Sequence, residues 1–285
     1  MTYIRTILVP LDEATLARKV FQRALALGKR FDATVKALHV SPLPRPSDPG
    51  WEALTKRGMG FAVTEDAMRE AKQAEERLRN EFEKICKHRG VPEIPEVNRH
   101  FAAHFVVAGG AEELVIATRA RISDLVIISS ASADGEVSET IEAVLTEGGR
   151  PLLVLPRGDH LPLDGTCIVA WNGRPEATRA LAFALPFLIA AEETLVVEVD
   201  DAGKRRGVGS ESVAEYLAGH SVAARCISAD KKGSIGETLV RTARDNQANL
   251  LIMGAAAYSR VRHMIFGHVT RDVIEATDIP LLMAN

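Results

Sequence analysis

The chain has 285 residues, 46% of them hydrophobic and 26% charged, with a formal net charge of -3. That length accommodates two ordinary cores, and the composition excludes disordered, collagenous and fibrous classes. Charge is spread evenly, 22 basic against 22 acidic residues through Arg157 and 13 against 16 after it, so neither half carries the basic surplus of a nucleic-acid binder.

The N-terminal stretch "MTYIRTILVPLDEATLARK" has a short apolar run and then a charged amphipathic segment. It lacks the longer apolar core and cleavage site of a signal peptide. No segment approaches the ~20 apolar residues of a membrane span, and a cytoplasmic location is expected. Strands are predicted over residues 4–10, 34–40, 97–107, 124–129 and 151–155, where β-branched or alternating apolar residues end at Pro, Gly or Ser. Between the second and third strands lie the Pro-rich "SPLPRPSDPGW" and a long amphipathic helix over 61–88. In that helix Ala67, Ala71, Ala74, Leu78, Phe82 and Ile85 form one apolar stripe on a charged rod. The stripe with a solvated outer face is the ordinary reading, and a lid or docking helix the sharper one. Strands follow over 166–171, 194–199, 222–228, 249–254 and 280–284.

The second half repeats the first. "TILVPLDEATLARKVFQRALAL" matches "TCIVAWNGRPEATRALAFALPF" at an offset of 160, pairing Val9 with Val169 and Asp12 with Asn172. "EELVIATRARISDLVIIS" matches "ETLVRTARDNQANLLIMG" at an offset of 125, pairing Ser129 with Gly254, and "PLLVL" matches "PLLMA" at 129. The fall in offset is the long loop and helix of the first half. Strands alternating with helices predict parallel sheets covered on both faces, in two units over 1–157 and 163–285.

Several chemistries are missing. His100 and His104 are four apart, but the alternation of Phe101, Ala103, Phe105 and Val107 makes the segment a strand, on which they would stand ~13 Å apart. His263 and His268 have no carboxylate spacing around them that completes a metal site. Cys86, Cys167 and Cys226 are unpaired in spacing, which fits a reducing compartment and no metal cluster. "GVGS" at residues 207–210 departs from the dinucleotide-binding glycine pattern and reads as a turn and cap. No Walker lysine, nucleophile elbow or paired-cysteine motif is present in the sequence.

With the repeat in view, the chain resembles a tandem universal stress protein over nearly its whole length. "ILVPLD" is similar to the family's first strand, "ALHV" to its second, and "GHVTRDVIEATDIPLLM" to its last helix and strand. The resemblance implies two doubly wound five-stranded parallel sheets of strand order 3-2-1-4-5. It also implies an adenine nucleotide, ATP or AMP, at the carboxyl ends of the strands and a regulatory role in stress response; an adenylating or ATP-hydrolysing enzyme is disfavoured, because no base, nucleophile or metal-binding acid is evident near the loop. In the family an Asp after the first strand contacts the nucleoside and a Val ending the second lies beside adenine. The phosphates sit in G-x-x-G, nine residues, then G-[S/T]-x-[S/T].

Carried onto the second half, these positions become Asn172, Val199, Gly254, Ala257 in place of the second glycine, Gly267, His268 in place of Ser/Thr, Val269 and Thr270. Ala170 and Met253, one residue before the expected ends of the first and fourth strands of this half, complete the expected site. The basic loop adds Arg260 and Arg262 as candidate phosphate contacts. The first half keeps Asp12 and Val40, but "SSASADGEVSET" has lost four residues and the glycine. Asp134, Glu136, Glu139 and Glu142 would repel an anion there. The alternative is that neither half takes a nucleotide and the protein is a scaffold or partner-binding dimer. The duplication implies a pseudo-twofold pairing of the halves inside the chain, through strands 151–155 and 280–284, or a homo-oligomer built the same way.

Overall fold

The computed structural model describes residues 4–13, 19–42, 65–94, 100–130, 139–156, 164–200, 207–255 and 267–285. The first half runs β1 (Thr6–Pro10), α1 (Val20–Phe31), β2 (Thr34–Ser41), α2 (Glu65–Arg89), β3 (Ala102–Gly109), α3 (Glu112–Ala120), β4 (Leu125–Ser129), α4 (Glu139–Ala143) with a π-helical turn (Val144–Gly148), and β5 (Leu152–Leu155). The second runs β6 (Thr166–Ala170), α5 (Pro175–Leu188), β7 (Glu193–Asp200), α6 (Ser210–Gly219), β8 (Ala224–Asp230), α7 (Ile235–Asp245), β9 (Leu250–Gly254), α8 (His268–Ala276) and β10 (Leu281–Ala284).

All ten strands form one sheet in the order β3-β2-β1-β4-β5-β10-β9-β6-β7-β8. Each half therefore has the order 3-2-1-4-5, parallel throughout, and the two join through β5 and β10, which run antiparallel. The register pairs Leu281 with Val154, Leu282 with Leu153 and Met283 with Leu152. Because Leu282 is the repeat equivalent of Leu153, each faces its own counterpart. A local pseudo-twofold thus passes through that pair at right angles to the sheet.

The repeat also survives in polar detail. Asp124 accepts from the Thr6 backbone N–H at 2.9 Å, and Asn249, its equivalent, accepts from Thr166 N–H at 2.9 Å. In both halves one side chain ahead of the fourth strand ties down the start of the first.

Alternation along the buried strands sends successive side chains to opposite faces. Ile7, Val9, Ile127, Cys167, Val169 and Ile252 face one layer, with Phe21 and Leu25 of α1, Phe82 of α2 and Leu181 and Leu185 of α5. Leu8, Val126, Ile168, Leu251 and Met283 face the other, with Ile116 of α3, Leu239 of α7 and Val273 of α8. Both layers run across the two halves without a break. Phe31 of α1 meets Phe187 of α5 edge-on at 5.3 Å on the first face. On the other side of the join, Asn285 donates to the Leu145 carbonyl at 3.2 Å.

The long helix α2 is a covering element. Leu78, Phe82 and Cys86 are buried, and Phe82 stacks against Phe21 and Phe105 at 5.2 and 5.4 Å. Its opposite side is charged and exposed, which supports the ordinary reading over the lid. Expected boundaries moved in places. The helix begins at Glu65, with 61–64 outside the described residues, and β3 begins at Ala102, with Val97 outside them. β8 starts at Ala224 and continues to Asp230, because Ser221 takes a positive φ of 63° and the turn from α6 ends later than the apolar run suggested.

Candidate functional site

In each half the strand order reverses between the first and fourth strands, so the crevice at their carboxyl ends is the expected ligand position. In the second half this lies where β6 and β9 end. Ala170 pairs with Met253 across these strands and with Val197 on the other side. β7 continues past Val197, so Val199 stands beyond the end of β6, beside Ala229 of β8. Ala170 and Met253 are buried, Val199 is half-buried, and all three belong to the layer that packs on α7 and α8. They form a continuous apolar edge of that layer at the strand ends, an apolar shelf beside the strand reversal.

Two helices present their N-termini on this face. A helix N-terminus leaves backbone N–H groups unpaired and carries partial positive charge, so it suits an anion unless its own residues fill it. The N-terminus of α7 is filled. The Ser234 hydroxyl accepts from Glu237 N–H at 3.1 Å, and the Glu237 carboxylate accepts from Ser234 N–H at 2.8 Å, a complete capping box. At α8 the cap is Gly267, which supplies no side chain, the first turn contains no acid, and no side chain among the described residues caps it.

Within that turn His268 is exposed, Val269 is half-buried against the shelf layer, and Thr270 is only 3% exposed. Thr270 was expected to offer a hydroxyl to a phosphate; its burial leaves the backbone N–H groups and the His268 ring as the outward features. The two N-terminal turns are close because Gly236 permits it, since a Cβ there would lie 2.6 Å from that of Asp272.

The glycines Gly254 and Gly267 separate in role. A Cβ on Gly267 would meet nothing within 4 Å, and its φ of -63° suits any residue. A Cβ on Gly254 would lie 2.4 Å from the Ala177 N and 2.6 Å from the Glu176 C, in the first turn of α5 on the opposite face of the sheet. Gly254 is therefore required by the approach of α5, whatever it does for a ligand. Ala257, Arg260, Arg262 and His263 lie outside the described residues.

Asn172, expected as a ribose acceptor, is exposed, and its Oδ1 accepts from Arg174 N–H at 3.1 Å. It thus shapes the turn into α5, whose first residue, Pro175, fixes the helical φ. Trp171, buried beside it, donates its indole N–H to the Val208 carbonyl at 2.7 Å, and Gly207 at φ 80° lets the 207–209 turn close on Gly173. "GVGS" is a turn as expected, but the cap of α6 is Gly209, and the Ser210 hydroxyl instead donates to Glu198 of β7 at 3.0 Å. Trp171→Phe removes the latch between these turns while keeping most of the packing. It should lower stability by about 1 kcal/mol, read as a shifted urea midpoint by circular dichroism.

Glu176 was not singled out by sequence reasoning. It sits in the first turn of α5, and its Oε2 is shut off from solvent with no hydrogen-bond partner among the described residues. An acid there is ordinary helix-terminus chemistry, so nothing in the sequence distinguishes it.

The first-half crevice is acidic by contrast. Glu112 opens α3 after Ala111, which provides no cap, and partial desolvation followed by the nearby Asp12 and Glu113 carboxylates pushes Glu112 above the usual carboxylate range. Such a cluster disfavours a phosphate. Burial pushes the Cys86 and Cys167 thiols up to about 12, which leaves neither nucleophilic at neutral pH. Among the described residues no group of three or more His, Cys, Asp or Glu could hold a metal ion, and no helix is long and apolar enough to cross a membrane.

Comparison with known proteins places the chain. The family model described as the universal stress protein family matches twice, at residues 4–133 and 165–285. The universal stress protein Slr1230 of Synechocystis is 26% identical over 157 residues, 53% of this chain and 52% of that protein, so the match spans about half the length of each. Among solved structures, a universal stress protein from Archaeoglobus fulgidus aligns over 100% of this chain and 98% of its own at 16% identity and a TM-score of 0.73. A functionally unknown protein from Pseudomonas aeruginosa, PA1789, aligns over 99% and 92% at 14% identity and a TM-score of 0.59. These structures share the fold. With two matches that together span most of its length, the chain belongs to the universal stress protein family, in which it carries two copies of the domain.

Proposed function

We propose that the second half binds an adenine nucleotide, ATP or AMP, in the crevice at the ends of β6 and β9, and that the protein acts as a nucleotide-gated regulator in the cytoplasmic stress response without turning the ligand over. The observation that carries this reading is the pairing of the helix N-terminus at Gly267 of α8, which no side chain among the described residues caps, with the apolar residues Ala170, Val199 and Met253 at the strand ends. The shelf suits a purine and the N-terminus suits a phosphate. Domain limits of 1–157 and 163–285 follow from the same reading, with the first half as the structural partner of the second. Arg260, Arg262 and Ala257 belong to the proposed phosphate loop by their place in the sequence alone.

A second reading is favoured by Gly254 and Asn172. Both have structural reasons to be what they are, so a protein that binds no nucleotide and works through a partner, or as a dimer, would keep them too. Calorimetric titration of the whole chain with ATP and AMP separates the two. On the first reading one nucleotide binds per chain, and Gly267→Val weakens it by about tenfold or more, because the valine side chain occupies the approach to the N–H groups. The variant should melt at the parent temperature, since the added Cβ meets nothing. Absence of binding, or equal affinity in both proteins, would sink the first reading.

A further inference from the structure

We infer that the outer edge of β8 is an interface for a second copy of this chain, which adds its own β8 antiparallel and joins the two sheets into one. The two ends of the sheet differ. At one end β3 is covered: Ile94 N–H donates to the Ala103 carbonyl at 3.0 Å, Ala103 N–H donates to the Pro92 carbonyl at 2.8 Å, and Phe82 of α2 stacks on Phe105. Residues 90–101, between α2 and β3, are long enough to fold back in this way. At the other end β8 pairs only with β7 among the described residues, and residues 220–223, between α6 and β8, are too few to return over the edge. The seven residues of β8 are half-buried or exposed, and the middle four, Cys226 to Ala229, carry no charge. An edge without lysine or proline at its centre is a template for another strand.

Self-complementarity selects a second copy as the occupant. Two copies of one strand pair antiparallel about an axis normal to the sheet, the arrangement β5 and β10 already have within the chain, so each residue must face one from the same side of the sheet. Centring the pair on Ser228 would set Arg225 against Lys231, two like charges, and centring it on Cys226 would leave Ala229 and Asp230 beyond the end of the partner strand. Centring it on Ile227 uses all of β8: Ile227 faces its own copy, Cys226 faces Ser228, Arg225 faces Ala229 and Ala224 faces Asp230. No like charges are opposed. Ile227 and Ala229 then continue one apolar layer into the partner, and Ala224 and Cys226 continue the other. Most of these side chains are small, so the pairing is weaker than that of β10. A dissociation constant of about 100 µM suits so small an interface, and the chain is single at micromolar concentrations.

The test uses the whole chain without nucleotide, in sedimentation equilibrium from about 5 to about 500 µM, a range that brackets the expected constant. The mass should rise from one chain toward two and stop there, because a twofold contact closes on itself. Ser228 is exposed, so Ser228→Lys should melt at the parent temperature, yet it should weaken the dimer about tenfold or more by setting a charge against Cys226 of the partner. The register is read by oxidative cross-linking in a Cys226→Ser background. Ile227→Cys should form an interchain disulfide, since facing residues stand ~5 Å apart, and Ala229→Cys should not, since it lies ~13 Å from its own copy. A chain that stays single up to about 500 µM overturns the inference. So does association that Ser228→Lys leaves unchanged, which would place the contact on another surface, or a mass that grows past two chains. Cross-linking at position 229 as efficient as at 227 also overturns it, because the strands would then not meet in this register.

Discussion

Residues 164–285 expressed alone should form a dimer through β10. In the whole chain β10 is sealed against β5, and Leu281, Leu282, Met283, Leu152, Leu153 and Val154 are all 0–1% exposed. Removing the first half would uncover a flat apolar edge strand with unpaired N–H and C=O groups, which invites another strand. A second copy of β10 fits in the same register, because the pseudo-twofold passes through Leu153 and Leu282 and the segments PLLVL and PLLMA are close in size. The helix contacts across the join, such as Phe31 against Phe187, would be lost. The β10 pairing should nevertheless hold a dimer at about micromolar concentrations, as interfaces of ordinary size do. Sedimentation should show twice the mass of the fragment. Leu282→Asp in the fragment should abolish the dimer, since a charge would stand opposite its own copy in a dry interface. A fragment that sediments as a well-behaved monomer would mean that the join owes its stability to the linker and the helices instead of the strands.

The fold could be read from the sequence because it is written twice. One alternation of strands and helices suggests a parallel sheet. Two matched copies, with Val9 against Val169 and Asp124 against Asn249, fix which segments are equivalent and so which strands must occupy equivalent places. What moved were ends set by backbone conformation, as at Ser221 before β8. Periodicity is silent about those. The extra helix of the first half was also readable, down to the stripe that places Leu78 and Phe82 in the core.

Of the candidate site, only the positions on strands could be placed from the sequence. Ala170, Val199 and Met253 come together because register and alternation force them to. Asn172 and Gly254 each have a local use, a polar oxygen beside a helix start and a glycine at a strand end pressed by α5, that a pattern of letters cannot separate from a role toward a ligand. Glu176 stayed hidden for the converse reason: its unmet oxygen is a property of packing, visible only when its neighbours are placed.

Gly254→Val should cost more stability than any other single change at the site. The Cβ of any residue at 254 would stand 2.4 Å from Ala177 N, 2.6 Å from Glu176 C and 2.8 Å from Glu176 Cβ. Two of these are backbone atoms in the first turn of a 14-residue helix, so relief requires α5 to move off the sheet. Overpacking of that kind costs about 3 kcal/mol, which in a domain of this size lowers the melting temperature by about 6–12 °C. Gly254→Ala should already show most of the loss, because the clash begins at Cβ. The first half supplies an internal contrast: Ser129 occupies the equivalent strand end, buried at 8%, so a side chain there is compatible with this sheet and the restriction at 254 comes from α5. Gly267→Val is the second contrast, with open space around it and no expected change in melting. The two glycines of one motif thus separate by measurement. Position 254 should fail in thermal denaturation before any ligand is added, and position 267 only when a nucleotide is titrated. A Gly254→Ala protein as stable as its parent would show that α5 does not press on β9, and would return Gly254 to the ligand.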